Sequence, residues 1–287
     1  MAPANAMPLT RSLAGRTLFV TGATRGIGLA IAVRAARDGA NVAFIGKTET
    51  PHPKLPGTIH DAARAIASAG GRALPIACDL RDDVAVESAV AATVDRFGGI
   101  DVLVNNASAI SLTGTLDTPA KRFDLMMGVN ARGTYVASRA CLPHLIVAAK
   151  SGRNPHVLTL APPPTLDPKW YRDHVAYTLA KVGMSLVTLG LAAEFREEGV
   201  ACNGLWPRTV IATAAVAMIP GAQAARQHMR TPEIVADAAH AIVTRDARTC
   251  TGRFLIDEDV LREDGVTDFD RYAVQPGQPL IPDLFLD

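Results

Sequence analysis

Tyr177 and Lys181 stand four residues apart in YTLAK, inside a stretch with helical periodicity that starts at Val175. That spacing puts the phenol and the ammonium on one helix face, about a turn apart. A phenol titrates near 10 in water, and an ammonium held within about 4–6 Å favours the phenolate and draws that value down by roughly one to three units. Such a tyrosine gives or takes a proton near neutral pH. Hydride reduction of a carbonyl needs that group, because a proton must reach the developing alkoxide.

A second constellation, TGATRGIG, runs from Thr21 to Gly28 and places Gly22, Thr24, Arg25, Gly26, Ile27 and Gly28 where an apolar run gives way to a helical one. Unpaired N–H groups and the helix dipole favour an anion such as a pyrophosphate there, and glycines leave room for its approach. The spacing is G-x-x-x-G-x-G rather than G-x-G-x-x-G, and no Gly-Lys-Ser/Thr follows. A Gly-rich turn without a ligand is the plain alternative. At the end of the next apolar run, FIGKT, a basic side chain would meet a ribose 2′-phosphate and an acidic one a free hydroxyl. Lys47 stands there and Arg25 reaches the same place, so NADP is expected over NAD. Glu49 supports the opposite reading, and a solvated Lys47 the neutral one.

These residues need a scaffold. Seven β-branched or apolar runs begin at Thr17, Asn41, Arg72, Asp101, His156, Val200 and Arg253. Between them lie Ala-rich segments of helical periodicity from Ile27, Thr58, Asp82, Arg122, Val175 and Pro232, several closed by glycines placed as C-terminal caps: Gly39, Gly70, Gly98 and Gly199. Unbroken apolar strands alternating with helices predict an α/β fold, a doubly wound seven-stranded parallel sheet with helices on both faces. The 287 residues would allow two domains, but the alternation continues from 17 to about 257 without a break. A single domain over 1–287 is expected, with 259–287 an irregular tail.

Lys and Arg number 29 against 28 Asp and Glu, which argues against nucleic acid or an anionic membrane as partner. The four cysteines form no CxxC pair and no cluster has metal-ligand spacing, so free thiols and no metal are expected. No apolar leader region and no unbroken span of membrane length is read, which makes the cytoplasm the expected location.

TGATRGIG, NNAS from Asn105, Asn130 in VNARGT, YTLAK and NGLWP together resemble the short-chain dehydrogenase/reductase family, over essentially the whole chain. The resemblance implies a Rossmann fold and an oxidoreductase that interconverts alcohols with ketones or aldehydes. It makes Tyr177 the general acid/base and Lys181 the ribose-binding residue that lowers the tyrosine pKa. Asn130 becomes the holder of a relay water. Asp79 and Leu80 would flank adenine, Asn106 and Ala107 the adenine ribose, and Pro207 with Thr209 the nicotinamide amide. A narrower likeness to one branch of the family, carried by KTETPHPKLPGTIH, LAPPPTLDPKWY and PLIPDLFLD, implies lipid-like or acyl substrates.

One position departs from the family pattern. A serine is expected thirteen residues before the tyrosine, where this chain has Pro164, and the strand end offers only Ala161 or Pro162. Thr165, Ser108 and Ser111 are the substitute hydroxyls, and loss of one such donor costs about 10²–10³ in rate. A dinucleotide-binding sensor with little turnover is therefore the competing reading. Arg208 replaces the usual glycine after Pro207 and would bring a cation to the nicotinamide or the substrate mouth. His174, Trp170 and Tyr171 are candidates for the pocket wall, and His52 to Lys54 for phosphate contact. Long apolar helices at Arg122 and Val175 suggest a homodimer or homotetramer, and Leu284, Phe285 and Leu286 need a groove, their own or a neighbour's.

Overall fold

The computed structural model describes residues 11–51 and 56–286. Seven parallel strands, β1 (Thr17–Thr21), β2 (Asn41–Gly46), β3 (Arg72–Ala77), β4 (Val102–Asn105), β5 (His156–Thr159), β6 (Ala201–Trp206) and β7 (Phe254–Ile256), lie in the order β3-β2-β1-β4-β5-β6-β7. Each coincides with a predicted apolar run. The five inner strands, β1, β2, β4, β5 and β6, are buried on both sides, because their two faces feed two separate cores. Leu18, Val20, Val42, Phe44 and Val104 pack with helices α1 (Gly26–Ala36), α2 (Ile59–Ser68) and α7 (Glu233–Val243). Phe19, Ala43, Ile45, Leu103 and Val157 face the other way, onto α3 (Asp83–Phe97), α5 (Gly133–Lys150) and the end of α6 (Val175–Glu194). This is the doubly wound sheet that the alternation predicted.

Two stretches differ from the sequence reading. The helix expected from Arg122 is α4 (Ala120–Met126) and α5 joined by a π-helical turn, Met127–Arg132. The segment expected to be an irregular tail begins inside a short helix, α8 (Asp257–Glu263). Its later part returns to the sheet edge through bridges Arg230↔Ala273 and Thr209↔Pro282.

Helix α6 is long and apolar enough to cross a membrane by length and composition, yet 61% of that stretch is buried inside the molecule. It packs there on β5, β6 and the π turn. All four cysteines are free and buried. Burial pushes the Cys78 thiol up to about 11 and Cys202 up to about 12.

Candidate active site

Parallel strands bring all their C-terminal ends to one edge, and chain order reverses between β1 and β4, where doubly wound sheets open a crevice. The Gly-rich turn leaves β1 at that crevice. Gly22 has φ +73, and a Cβ there would lie 2.9 Å from the Ala107 backbone; a Cβ on Gly28 would lie 2.4 Å from Asn106 Nδ2. The turn is tied down from β4. The Asn106 side-chain amide donates to the carbonyls of Thr21 (3.0 Å) and Gly22 (2.9 Å), while Thr21 Oγ1 accepts the Asn106 and Ala107 N–H groups. Asn106 thus spends its amide on holding the turn. Helix α1 starts at Gly26 with no side-chain cap and no acid in its first turn, so its leading N–H groups remain for an anion. Ile27 packs against the core beneath, and Thr24 is buried on Gly46 of β2. The cradle fits a dinucleotide phosphate.

Arg25 projects toward the β2 end as expected. Its Nη2 donates to Thr48 Oγ1 and to the Gly57 carbonyl, both at 3.1 Å. Its Nε is buried without a partner, and burial lowers the guanidinium pKa. Lys47 is exposed, with Nζ 3.4 Å from Asp79 Oδ2. Asp79 also chelates Arg81, and that pairing leads in holding its carboxyl far below the usual range. Glu49 is exposed, Leu80 packs beside Gly133, and His52 and Lys54 lie outside the described residues.

Tyr177 and Lys181 both lie in the buried first half of α6, 6% and 3% exposed. Lys181 Nζ donates to the Leu160 carbonyl (2.6 Å), contacts Met184 Sδ (3.4 Å) and sits 4.9 Å from the Trp206 ring. Desolvation leads in lowering its pKa to about 7, and the Asp283 charge opposes that fall. The phenol behaves differently from the spacing argument. Desolvation, with Asp283 adding to it, pushes Tyr177 above its ordinary value, so its acid form is held at neutral pH.

Asn130 lies fully buried in the π turn. Its Oδ1 accepts the Ala109 N–H at 2.7 Å and its Nδ2 donates to the Ala109 carbonyl at 3.0 Å. The side chain is thus a clamp on the β4–α4 connection, with both polar atoms occupied. π turns of this kind often mark functional sites.

None of the substitute hydroxyls Ser108, Ser111 and Thr165 hydrogen-bonds to Tyr177 among the described residues. Ser108 is exposed, Ser111 pairs with Thr113 Oγ1 at 3.3 Å, and Thr165 Oγ1 accepts the Asp167 N–H. Tyr171 donates to the Thr165 carbonyl at 2.8 Å, which pins the Pro-rich loop. His174 Nδ1 lies 3.0 Å from Thr178 Oγ1, and its ring meets Tyr177 edge-on at 6.3 Å. The Arg208 guanidinium is paired with Asp259 at 2.6 Å. Pro207 and Thr209 follow β6, and Thr209 Oγ1 is buried without a partner, as is Thr159 Oγ1 at the end of β5.

Sequence reasoning missed Trp206 and Asp283, and it left the seat of Phe285 open. Phe285 docks within its own chain, with ring centroids 5.7 Å from Trp170, 5.7 Å from Trp206 and 6.5 Å from Tyr177. It is the one non-glycine residue with positive φ (70°) among those described, a conformation costing on the order of 1–3 kcal/mol. A strand-end tryptophan and an apolar LFL run were visible signals, but the contact between them spans some eighty positions of sequence.

Residues 16–223 match the short chain dehydrogenase family. The chain belongs to the short-chain dehydrogenase family. That places it among oxidoreductases. It is similar to hydroxysteroid dehydrogenase-like protein 2 of Danio rerio (56% identity over 278 residues, 97% of this chain and 65% of that protein) and of Homo sapiens (53% over 281 residues, 98% and 66%). This short-chain dehydrogenase spans 65–66% of the length of those curated relatives. Among solved structures it resembles a protein of Xanthomonas campestris, with a TM-score of 0.92 and 63% identity, covering 96% of this chain and 99% of that one. A metagenomic short-chain oxidoreductase in complex with NADP superposes with a TM-score of 0.69 at 27% identity, over 85% of this chain and 97% of that one.

Proposed function

We propose that this chain is an NADP(H)-dependent oxidoreductase interconverting an alcohol with a ketone or aldehyde, on apolar, lipid-like or acyl substrates. The observation that carries the reading is the buried Tyr177 and Lys181 on one helix, at the same sheet edge as an uncapped, glycine-cradled helix N-terminus. When bound there, a nicotinamide dinucleotide supplies hydride chemistry. Thr24, Arg25 and the Gly22–Gly28 turn would hold its phosphates, Arg25 and Lys47 its 2′-phosphate, and Pro207 and Thr209 the far end. The buried Thr209 hydroxyl, unpartnered here, is suited to accept or give a hydrogen bond.

Tyr177 donates the proton that the reduced oxygen requires, and the reverse reaction returns it. Desolvation keeps that proton on the phenol until charge develops beside it. Lys181 supplies the nearby positive charge, oriented by the Leu160 carbonyl and the Trp206 face. Asn130 keeps the β4–α4 connection against the site. The apolar cluster of Met126, Ile110, Leu112 and Trp170 packed around Tyr177 supports an apolar substrate.

NADPH consumption followed by absorbance against ketones, aldehydes and 3-oxoacyl thioesters tests this reading. Tyr177→Phe is expected to lower turnover by about 10²–10⁴, the usual worth of a general acid. Tight NADPH binding with no turnover on any of them would favour the second reading, a dinucleotide-binding sensor. That reading is supported by Ala161, Pro162 and Pro164 where the family places its serine. Assembly as a homodimer or homotetramer is part of the proposal, supported by Leu179, Leu186 and Leu189 exposed along one face of α6.

A further inference from the structure

A piece of the same chain packs beside the Tyr177 ring. Residues 281–286 run back along the connection after β6: Val210 N–H donates to the Ile281 carbonyl (3.0 Å), Asp283 N–H to the Arg208 carbonyl (3.1 Å), and Trp206 Nε1–H to the Leu284 carbonyl (2.7 Å). These bonds deliver Phe285 between Trp170, Trp206 and Tyr177, 5% exposed. Among the described residues the Tyr177 hydroxyl has no hydrogen-bond partner, and the residue is 6% exposed. We propose that Ile281–Leu286 is an internal occupant of the substrate chamber, with Phe285 in the place that the apolar group beside a substrate carbonyl takes.

Three observations support an occupant that leaves over a permanent wall. Phe285 holds a left-handed backbone that a bulky side chain rarely adopts, so its departure relieves strain. The hold is a few backbone bonds at a chain edge, with Leu284 and Leu286 only partly buried. The segment also brings Asp283, whose carboxyl has the Leu284 N–H as its one hydrogen-bond donor among the described residues, into the low-polarity surroundings of Lys181, and release returns it to water. The occupant defines the substrate class. A ligand that replaces Phe285 meets two indoles and Met126, so ketones or aldehydes with an aliphatic or aromatic arm fit, whereas polyhydroxylated ones would leave hydroxyls unpaired.

This inference rests on the proposed reaction for its substrate, though not for its occupancy, and the two are separable. Phe285→Gly removes the ring and suits the positive φ; Phe285→Leu leaves a smaller plug. Binding of the apolar dye 8-anilinonaphthalene-1-sulfonate, read by fluorescence, is expected to tighten at least fivefold in Phe285→Gly, with Phe285→Leu between it and the parent. Tyr177→Phe should bind the dye as the parent does. KM for cyclohexanone or decanal should fall at least fivefold in Phe285→Gly without loss of kcat. Equal dye affinity in all variants, or a raised KM with lowered kcat, overturns the proposal. Tighter dye binding with no turnover of any carbonyl by any variant upholds the internal occupant and removes the reaction reading instead.

Discussion

Arg25 and Lys47 act at the scale of a single charge. Arg25 leans on Thr48 and Gly57 through Nη2 with its buried Nε unpartnered, and among the described residues Lys47 is held only by an exposed contact with Asp79, worth little to stability. On the proposed NADP reading, both would meet the 2′-phosphate. Lys47→Asp is expected to weaken NADPH binding at least tenfold, about 1.4 kcal/mol, while NADH binding holds or improves. Isothermal titration calorimetry with both dinucleotides decides it, and an equal loss for the two would remove the charge argument. These residues were legible in the sequence because their logic is local: a turn, a strand end, four residues of one helix. Asn106 and Asn130 were legible as polar residues at the right places. Their partners were not, since Gly22 and Ala109 lie 84 and 21 positions away.

Among elements, the strands could be read because a two-sided sheet needs unbroken apolar runs, and the runs are long enough to be unambiguous. The π turn is harder to read, since its one-residue offset of the apolar spacing is confined to a single short stretch, Met127–Arg132. Helix α8 did carry a signal, Asp257, Glu258 and Asp259 at its start, of the kind that favours a helix N-terminus. Asn130→Ala tests what the π turn positions. It strands the Ala109 N–H and carbonyl, so a loss of about 2–4 kcal/mol is expected in denaturant unfolding, with the β4–α4 connection loosened. The 281–286 segment should respond to pH. Asp283 is pushed up to about 7, mainly by desolvation and further by Asp257, with Lys181 opposing; Asp257 itself is raised to about 6, and Tyr177 stays protonated. A carboxyl raised on docking contributes stability that is complete below its free value near 4 and lost as pH rises through 7. Hydrogen exchange at Val210 and Leu284, corrected for intrinsic rate, should show weaker protection at pH 8 than at pH 5. Asp283→Asn should flatten the trend.

For the whole molecule, the sheet fixes one edge as the working edge, and near-zero net charge leaves selectivity to individually placed cations. Helix α6 faces two ways: Tyr177 and Lys181 turn inward, while Leu179, Leu186 and Leu189 are 42%, 56% and 45% exposed along the outer face. Leu186→Glu is expected to shift the protein toward monomer in light scattering with its melting temperature little changed. An unchanged mass would place any assembly elsewhere. Finally, the chain has two tryptophans, and each has its ring centroid 5.7 Å from Phe285. Trp206 also lies against the Lys181 ammonium and donates to Leu284, and Trp170 lies under Lys169. All of the protein's intrinsic indole emission therefore originates at one side chain's seat. An unlabelled sample in a fluorimeter should report, through a red shift and changed quenching, whether Phe285 is in place.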